Sequence, residues 1–231
     1  MRRRVEALFA QDTATERRGY STPTALRSIP AKAMDWLRYG LALLTICTLP
    51  PAVLFWYAIH PFVDFWRKFG PVWTYVILGG LSIALMGALF ALGDHLVGAD
   101  FGTSYPLIVV GVVCVAAAIW IALKRKKLLT WRILVGVPEL TGRGERGRLL
   151  TEGIYARIRN PRYLEVILGT LGYVLIANHL GTYILFALLL PAIYGIVIME
   201  ERELRERFGT EYEEYCRRVP RLIPHRHAAV E

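Results

Sequence analysis

Two short stretches of the chain hold the side chains best suited to chemistry. The first runs Tyr155-Ala156-Arg157-Ile158-Arg159-Asn160-Pro161-Arg162-Tyr163, and the second is Met199-Glu200-Glu201-Arg202-Glu203-Leu204-Arg205. In the first, Asn160-Pro161 reads as a helix start. An Asn side chain caps free backbone N–H groups there, and Pro at the first helical position gives up a donor that has no intrahelical partner. The positive end of the helix then lies beside Arg159 and Arg162, which suits a carboxylate or a phosphate. Arginines gripping lipid phosphates beside a capped helix would look the same. In the second stretch, two adjacent carboxylates end a long apolar run, where a charge is costly unless it is paired or used. Glu201 has Arg205 at i+4 in the favourable order. Glu200 has Leu204 there, which leaves its carboxylate to serve a ligand.

Other chemistries find no support in the spacing. Cys47, Cys114 and Cys216 are dispersed without metal-site spacing, and the five His residues form no HExxH pattern. There is no phosphate-binding Walker loop and no GxSxG. Gly142-Arg143-Gly144-Glu145-Arg146-Gly147 has the wrong spacing for a dinucleotide fingerprint and no apolar strand before it. His225 and His227 read as part of a basic tail.

The elements that must carry these stretches are legible from where charge is missing. Of 231 residues, 55% are apolar and 20% charged, with a formal net charge of +9 and a mean hydropathy of +0.37. That apolar share exceeds what a soluble domain of this length buries. No Asp, Glu, Lys or Arg occurs in Tyr39–Ile59, Pro71–Gly93, Phe101–Leu123 or Val166–Met199. About 20 helical residues span the hydrocarbon of a bilayer. The first three gaps each allow one crossing. The fourth, 34 residues long, breaks at Ala177-Asn178-His179-Leu180-Gly181-Thr182 into two helices near 163–178 and 183–199. The expected fold is therefore all-α, a polytopic membrane bundle of about five helices with a helical C-terminal tail. Residues 1–35 read as a basic, mobile arm without a cleavable signal, 36–123 as three membrane helices, and 124–231 as the loop, the last helix pair and the tail that together form the site. Trp36, Trp66, Trp73 and Trp131 lie near segment ends, as an aromatic belt would have them.

Lys and Arg give the orientation. Segment 124–162 carries 11 of the 28 and 200–231 carries 7, whereas Asp94–Pro106 and Ala177–Thr182 carry none. The first pair is expected in the cytoplasm and the second pair outside. The eight basic residues before Tyr39 oppose this count, and Pro50-Pro51 in mid-gap suggests a re-entrant or strongly kinked first element. Charge segregated to one membrane side accounts for the basic balance without a nucleic-acid partner. Beyond Glu201, Gly209 reads as a C-cap, Thr210-Glu211-Tyr212-Glu213 as a capping box, and Leu204, Phe208, Tyr212, Tyr215 and Val219 as an apolar stripe lying along the membrane interface.

The motifs then show a family likeness. Gly153, Tyr155, Arg159-Asn160-Pro161 and Tyr163 are followed by an apolar hairpin. After it come Glu200-Glu201, Leu204, Phe208-Gly209, Tyr212, Tyr215, Val219-Pro220-Arg221 and Ile223-Pro224. Over about a third of the chain this resembles the isoprenylcysteine carboxyl methyltransferase and phospholipid methyltransferase superfamily. The resemblance implies an S-adenosylmethionine-dependent membrane methyltransferase. Tyr155, Arg159, Asn160, Pro161 and Tyr163 would line the cofactor pocket, with Glu200 and Glu201 facing it and Arg159 and Glu200 acting in catalysis. It implies a lipophilic or lipid-like acceptor, membrane lipids as the surroundings, and a bacterial inner-membrane location with the site facing the cytoplasm. Glu165 departs from the pattern, which usually has a small residue two positions after Tyr163, and Asn160 stands where the isoprenylcysteine branch often has His. Glu165 is expected to fill the pocket, redirect the substrate, or pair with Arg162 or Arg159. Two alternatives remain open: a nicotinamide-dependent reductase of the steroid 5α-reductase type, and a non-catalytic lipid-binding protein on the same scaffold.

Overall fold

The computed structural model describes residues 25–126 and 149–223. They form helices α1 (Ala25–Ile59), α2 (Val63–Arg67), α3 (Gly70–Ala91), α4 (Gly93–Val97), α5 (Tyr105–Lys126), α6 (Pro161–Ala177), α7 (Leu180–Phe208) and α8 (Thr210–Arg218). Short 3-10 turns lie at His60–Phe62 and Gly153–Ala156. In hydrocarbon every backbone group needs an internal partner, so long apolar runs become helices. Four are long and apolar enough to cross a membrane: Lys32–Ile59 within α1, then α3, α5 and α7. The fifth expected crossing, α6, has 17 residues, about 25 Å at 1.5 Å per residue. The chain is an integral membrane protein of polytopic helical architecture. Trp131, His225, His227, Pro224, the glycine run 142–147 and most of the arm 1–35 lie outside the described residues.

The first element is not re-entrant. α1 continues through Pro50 and Pro51. Near its start Arg38 bonds Asp100, and near its end the Trp56 ring lies under the Arg162 guanidinium at 4.1 Å. Those two contacts are at opposite ends of the bundle, about 27 Å apart along an ideal helix axis. One full crossing therefore separates them. α3 returns along α1, while α6 sits between α1, α5 and α7.

At the end away from the two chemical stretches, segments 99–103 and 177–182 lock together. Asp100 and His179 form an isolated bridge, with Phe101 N–H donating to Asn178 O and Leu180 N–H to Ala99 O. The α6–α7 turn needs a left-handed residue, and Asn178 supplies it with φ 53°. Its side chain donates to Gly102 O at 2.9 Å and accepts from Tyr183 at 2.8 Å. Gly181 follows because a Cβ there would stand 1.8 Å from Leu96 O. The two basic-free segments, expected on one side of the membrane, thus do share one end.

α5 and α6 approach closely enough for backbones to touch. A Cβ on Gly172 would lie 2.6 Å from Gly111 O, and one on Gly111 2.8 Å from Gly172 O. Small residues at such a crossing replace the hydrophobic drive that lipid removes.

The tail differs from expectation in two ways. Gly209, at φ +58°, ends α7 and also precedes α8, which has no side-chain cap, so the capping box does not form. The apolar stripe does not lie along the membrane interface. Tyr212, Tyr215 and Val219 are buried with Leu149, with Leu204 and Phe208 packed beside them. The tail folds back onto its own chain because Leu149 and the 153–158 turn offer it a dry surface.

Candidate functional site

α6 starts where the tail meets it. Arg159 N–H donates to Pro220 O at 2.9 Å and Asn160 N–H to Arg221 O at 3.1 Å. The Val219-Pro220-Arg221 segment therefore holds the residues just before α6 by their backbones. One turn earlier, Tyr215 donates its hydroxyl to Tyr155 O at 2.7 Å. Burial keeps the Tyr215 phenol well above its ordinary range and so protonated as a donor.

Helical spacing then sends three side chains near the start of α6 in three directions. Arg162 covers Trp56 of α1. Tyr163, itself buried, donates to Glu200 of α7. Glu165 reaches Arg125 of α5, accepting from Nε at 3.0 Å and from Nη2 at 2.9 Å, both on Oε2. The expected pairing of Glu165 with Arg162 or Arg159 is thus replaced by one with Arg125. Arg162 is taken up by the indole, and Arg159 turns to Glu201.

Glu201 is the fully buried hub. It accepts from Asn160 Nδ2 at 3.0 Å and from Arg221 Nη2 at 2.8 Å and Nε at 3.1 Å, with Arg159 Nη2 at 3.4 Å. Arg205, the partner expected from helical spacing, is farther away at 3.8 Å. A buried carboxylate must be surrounded by donors of this kind or it would cost several kcal/mol. That demand also explains why Asn160 precedes α6 without capping it: no side-chain cap bond is made there, and the amide goes to Glu201 instead. In turn Glu201 holds the Arg221 guanidinium above its ordinary range.

The structure therefore brings Arg159, Asn160, Tyr163, Glu200 and Glu201 together, with Pro161 buried at the first helical position. Tyr155 lies alongside. Burial pushes its phenol up to about 12, with Arg125 and Arg162 pulling it down and Glu200 and Glu165 pushing it up. Two buried guanidinium nitrogens at this end, Arg159 Nε and Arg125 Nη1, have no hydrogen-bond partner among the described residues. Arg125 was not visible as a site residue in the sequence. It sits in Lys124-Arg125-Lys126, a triplet that looks like an ordinary basic flank of a membrane helix. Arg221 stood in the motif without a role, and only the return of the tail reveals its contact with Glu201.

Comparison with known proteins bears on this same region. The family model for phospholipid methyltransferases matches residues 103–211. A Schizosaccharomyces pombe protein-S-isoprenylcysteine O-methyltransferase is 35% identical over 77 residues, 33% of this chain and 33% of that protein. The Arabidopsis thaliana protein-S-isoprenylcysteine O-methyltransferase B is 34% identical over 84 residues, 36% of this chain and 42% of the relative. A mouse delta(14)-sterol reductase is 29% identical over 92 residues, 38% of this chain and 21% of that protein. The matches to the two methyltransferases thus span only about a third to two-fifths of those relatives' length. No solved structure matches the chain. With α5 to α7 and the paired glutamates inside the matched region, the chain resembles the phospholipid and isoprenylcysteine membrane methyltransferases over that part of its length.

Proposed function

We propose that the chain transfers a methyl group from S-adenosylmethionine to a lipophilic or lipid-like acceptor at one face of the membrane. The observation that carries this reading is the convergence of Arg159, Tyr163 and Glu200 at one end of α6 and α7, inside the region shared with the methyltransferase family. The residues fit the cofactor's chemistry. A zwitterionic amino acid with a ribose needs donors for its carboxylate and acceptors for its ammonium or hydroxyls. The partnerless Arg159 Nε and the uncapped start of α6 supply the first. Glu200, oriented by the Tyr163 hydroxyl, supplies the second. Tyr155 and Pro161 line the space between. Glu201, saturated by Asn160 and Arg221, acts as a positioning residue that fixes where Arg159 and α6 begin.

When bound, the cofactor supplies an electrophilic methyl group on sulfur. The protein's contribution is alignment and exclusion of water, which can account for several powers of ten in rate. The excess of Lys and Arg on segments 124–162 and 200–231 supports a site facing the cytoplasm.

A nicotinamide-dependent reductase is the second reading, favoured by the likeness to the sterol reductase. Calorimetric titration of detergent-purified protein with S-adenosylhomocysteine and with NADPH separates the two. Binding of S-adenosylhomocysteine is expected. Its absence at millimolar ligand sinks the methyl-transfer reading, and NADPH binding in its place establishes the reductase.

A further inference from the structure

Among the charged pairs at the site end, Arg125–Glu165 has no part in holding the cofactor as described above. The Arg125 side chain is 11% exposed, and Nε and Nη2 both point to a single oxygen, Oε2 of Glu165. That leaves the buried Arg125 Nη1 without a partner among the described residues, while Glu165 Oε1 takes no part in the contact with Arg125. An unmatched buried N–H costs about 1–3 kcal/mol, so its persistence calls for a ligand. Tyr155 stands close enough for both charges to act on its phenol. Gly111 and Gly172 already press α5 and α6 together farther along, so the ion pair is not needed to join them.

We propose that Arg125 and Glu165 form the head-group site of the methyl acceptor, and that they select a hydroxyl or an amine over a carboxylate. The assignment rests on the methyl-transfer function proposed above and deepens it by naming the acceptor class. Glu165 Oε1 accepts a hydrogen bond from an O–H or N–H, and Arg125 Nη1 donates to an oxygen of the same or an adjoining group. An ionised carboxylate meets repulsion from Glu165, whose own charge offsets that of Arg125 and leaves only the Nη1 hydrogen bond to offer. With a small residue at this position the guanidinium would stand uncovered and the preference would reverse. Glu165 is therefore a specificity-determining residue whose side chain covers an anion site.

Three probes with one tail test this: farnesol, farnesylamine and farnesoate. Each is titrated at pH 8 into detergent-purified full-length protein saturated with S-adenosylhomocysteine. Farnesol or farnesylamine is expected to bind at least about tenfold more tightly than farnesoate, a difference of roughly 1.4 kcal/mol. The arm that binds distinguishes hydroxyl from amine recognition. Glu165→Gly is expected to strengthen farnesoate binding about tenfold and to reverse the ranking, a change that lost packing alone would not produce. Equal or tighter binding of farnesoate by the unsubstituted protein overturns the proposal, and that result does not depend on whether any variant folds. Failure to bind S-adenosylhomocysteine at the outset would instead remove the methyl-transfer reading.

Discussion

Tyr163 donates its hydroxyl to Glu200 across the α6–α7 pair, joining the first turn of one helix to the charged end of the other. A hydrogen bond to a half-buried carboxylate such as Glu200 fixes its orientation and lowers the entropic cost of presenting it to a ligand. Glu200→Gln and Tyr163→Phe are each expected to weaken S-adenosylhomocysteine binding about tenfold, near the 1.5–3 kcal/mol of a charged hydrogen bond. The double variant should lose little more than the worse single one, because the two act as a unit. Calorimetry on all four proteins checks this, and additive losses would separate the two residues.

Glu201 should behave differently from its neighbour. Glu201→Gln removes the charge that Arg159 and Arg221 surround, so it should destabilise the protein by about 3 kcal/mol or more. The readout is the thermal midpoint in detergent, which should fall for Glu201→Gln and for Arg221→Met but hold for Glu200→Gln. A Glu201→Gln protein that melts normally and loses only cofactor binding would make Glu201 a direct ligand contact instead.

The α5–α6 seam should tolerate no added bulk. Gly172→Leu drives a side chain into Gly111 O and Val115, where even a Cβ lies 2.5–2.6 Å from its neighbours. It should sharply reduce the yield of folded, monodisperse protein. Gly80→Leu on α3 opens into free space and should leave yield unchanged. Size-exclusion profiles from membranes of equal expression decide between them.

The far end should loosen in acid. Burial raises the Asp100 carboxyl, but the Gly102 N–H, the Arg38 guanidinium and His179 outweigh it and hold Asp100 below the ordinary carboxylate range. The folded state therefore releases this proton more readily than the unfolded chain. Its stabilising effect is present above the ordinary carboxylate pKa of about 3.9 and is lost as pH falls through the lower folded value. Thermal midpoints measured downward from pH 5 should fall, and Asp100→Asn should flatten that slope while lowering the midpoint at neutral pH.

What could be read in the sequence was whatever a local rule decides. The charge-free runs predict the helices, and the RNP and Glu-Glu motifs pick out Asn160, Tyr163 and Glu200. Pairings set by tertiary return were not legible. Spacing along a helix named Arg205 as the partner of Glu201, yet Arg221 lies closer, at 2.8 Å against 3.8 Å, because the tail folds back. Asn160 was expected to cap α6. A cap contributes about 1 kcal/mol, whereas an unsatisfied buried carboxylate costs several, so the amide turns to Glu201. Arg125 and Glu165 are 40 residues apart with no shared motif, and only the close approach of α5 and α6 brings them together. Pro50-Pro51 misled in the opposite sense. The local rule argued for a break, but α1 continues in a setting where an interrupted backbone has no water to turn to.

The short length of α6 has a consequence for where the proposed reaction would take place. At about 25 Å it falls roughly 5 Å short of a typical hydrocarbon thickness. Its far end is anchored by the Asn178–Gly102 and Phe101–Asn178 bonds, so the shortfall is taken up at the end carrying Arg162, Tyr163 and Glu165. In a bilayer of that thickness those groups would lie beneath the level of the lipid head groups. Under the methyl transfer proposed above, a nucleophile at the head of a lipid would reach them without leaving its leaflet, and membrane thickness would set how readily it arrives.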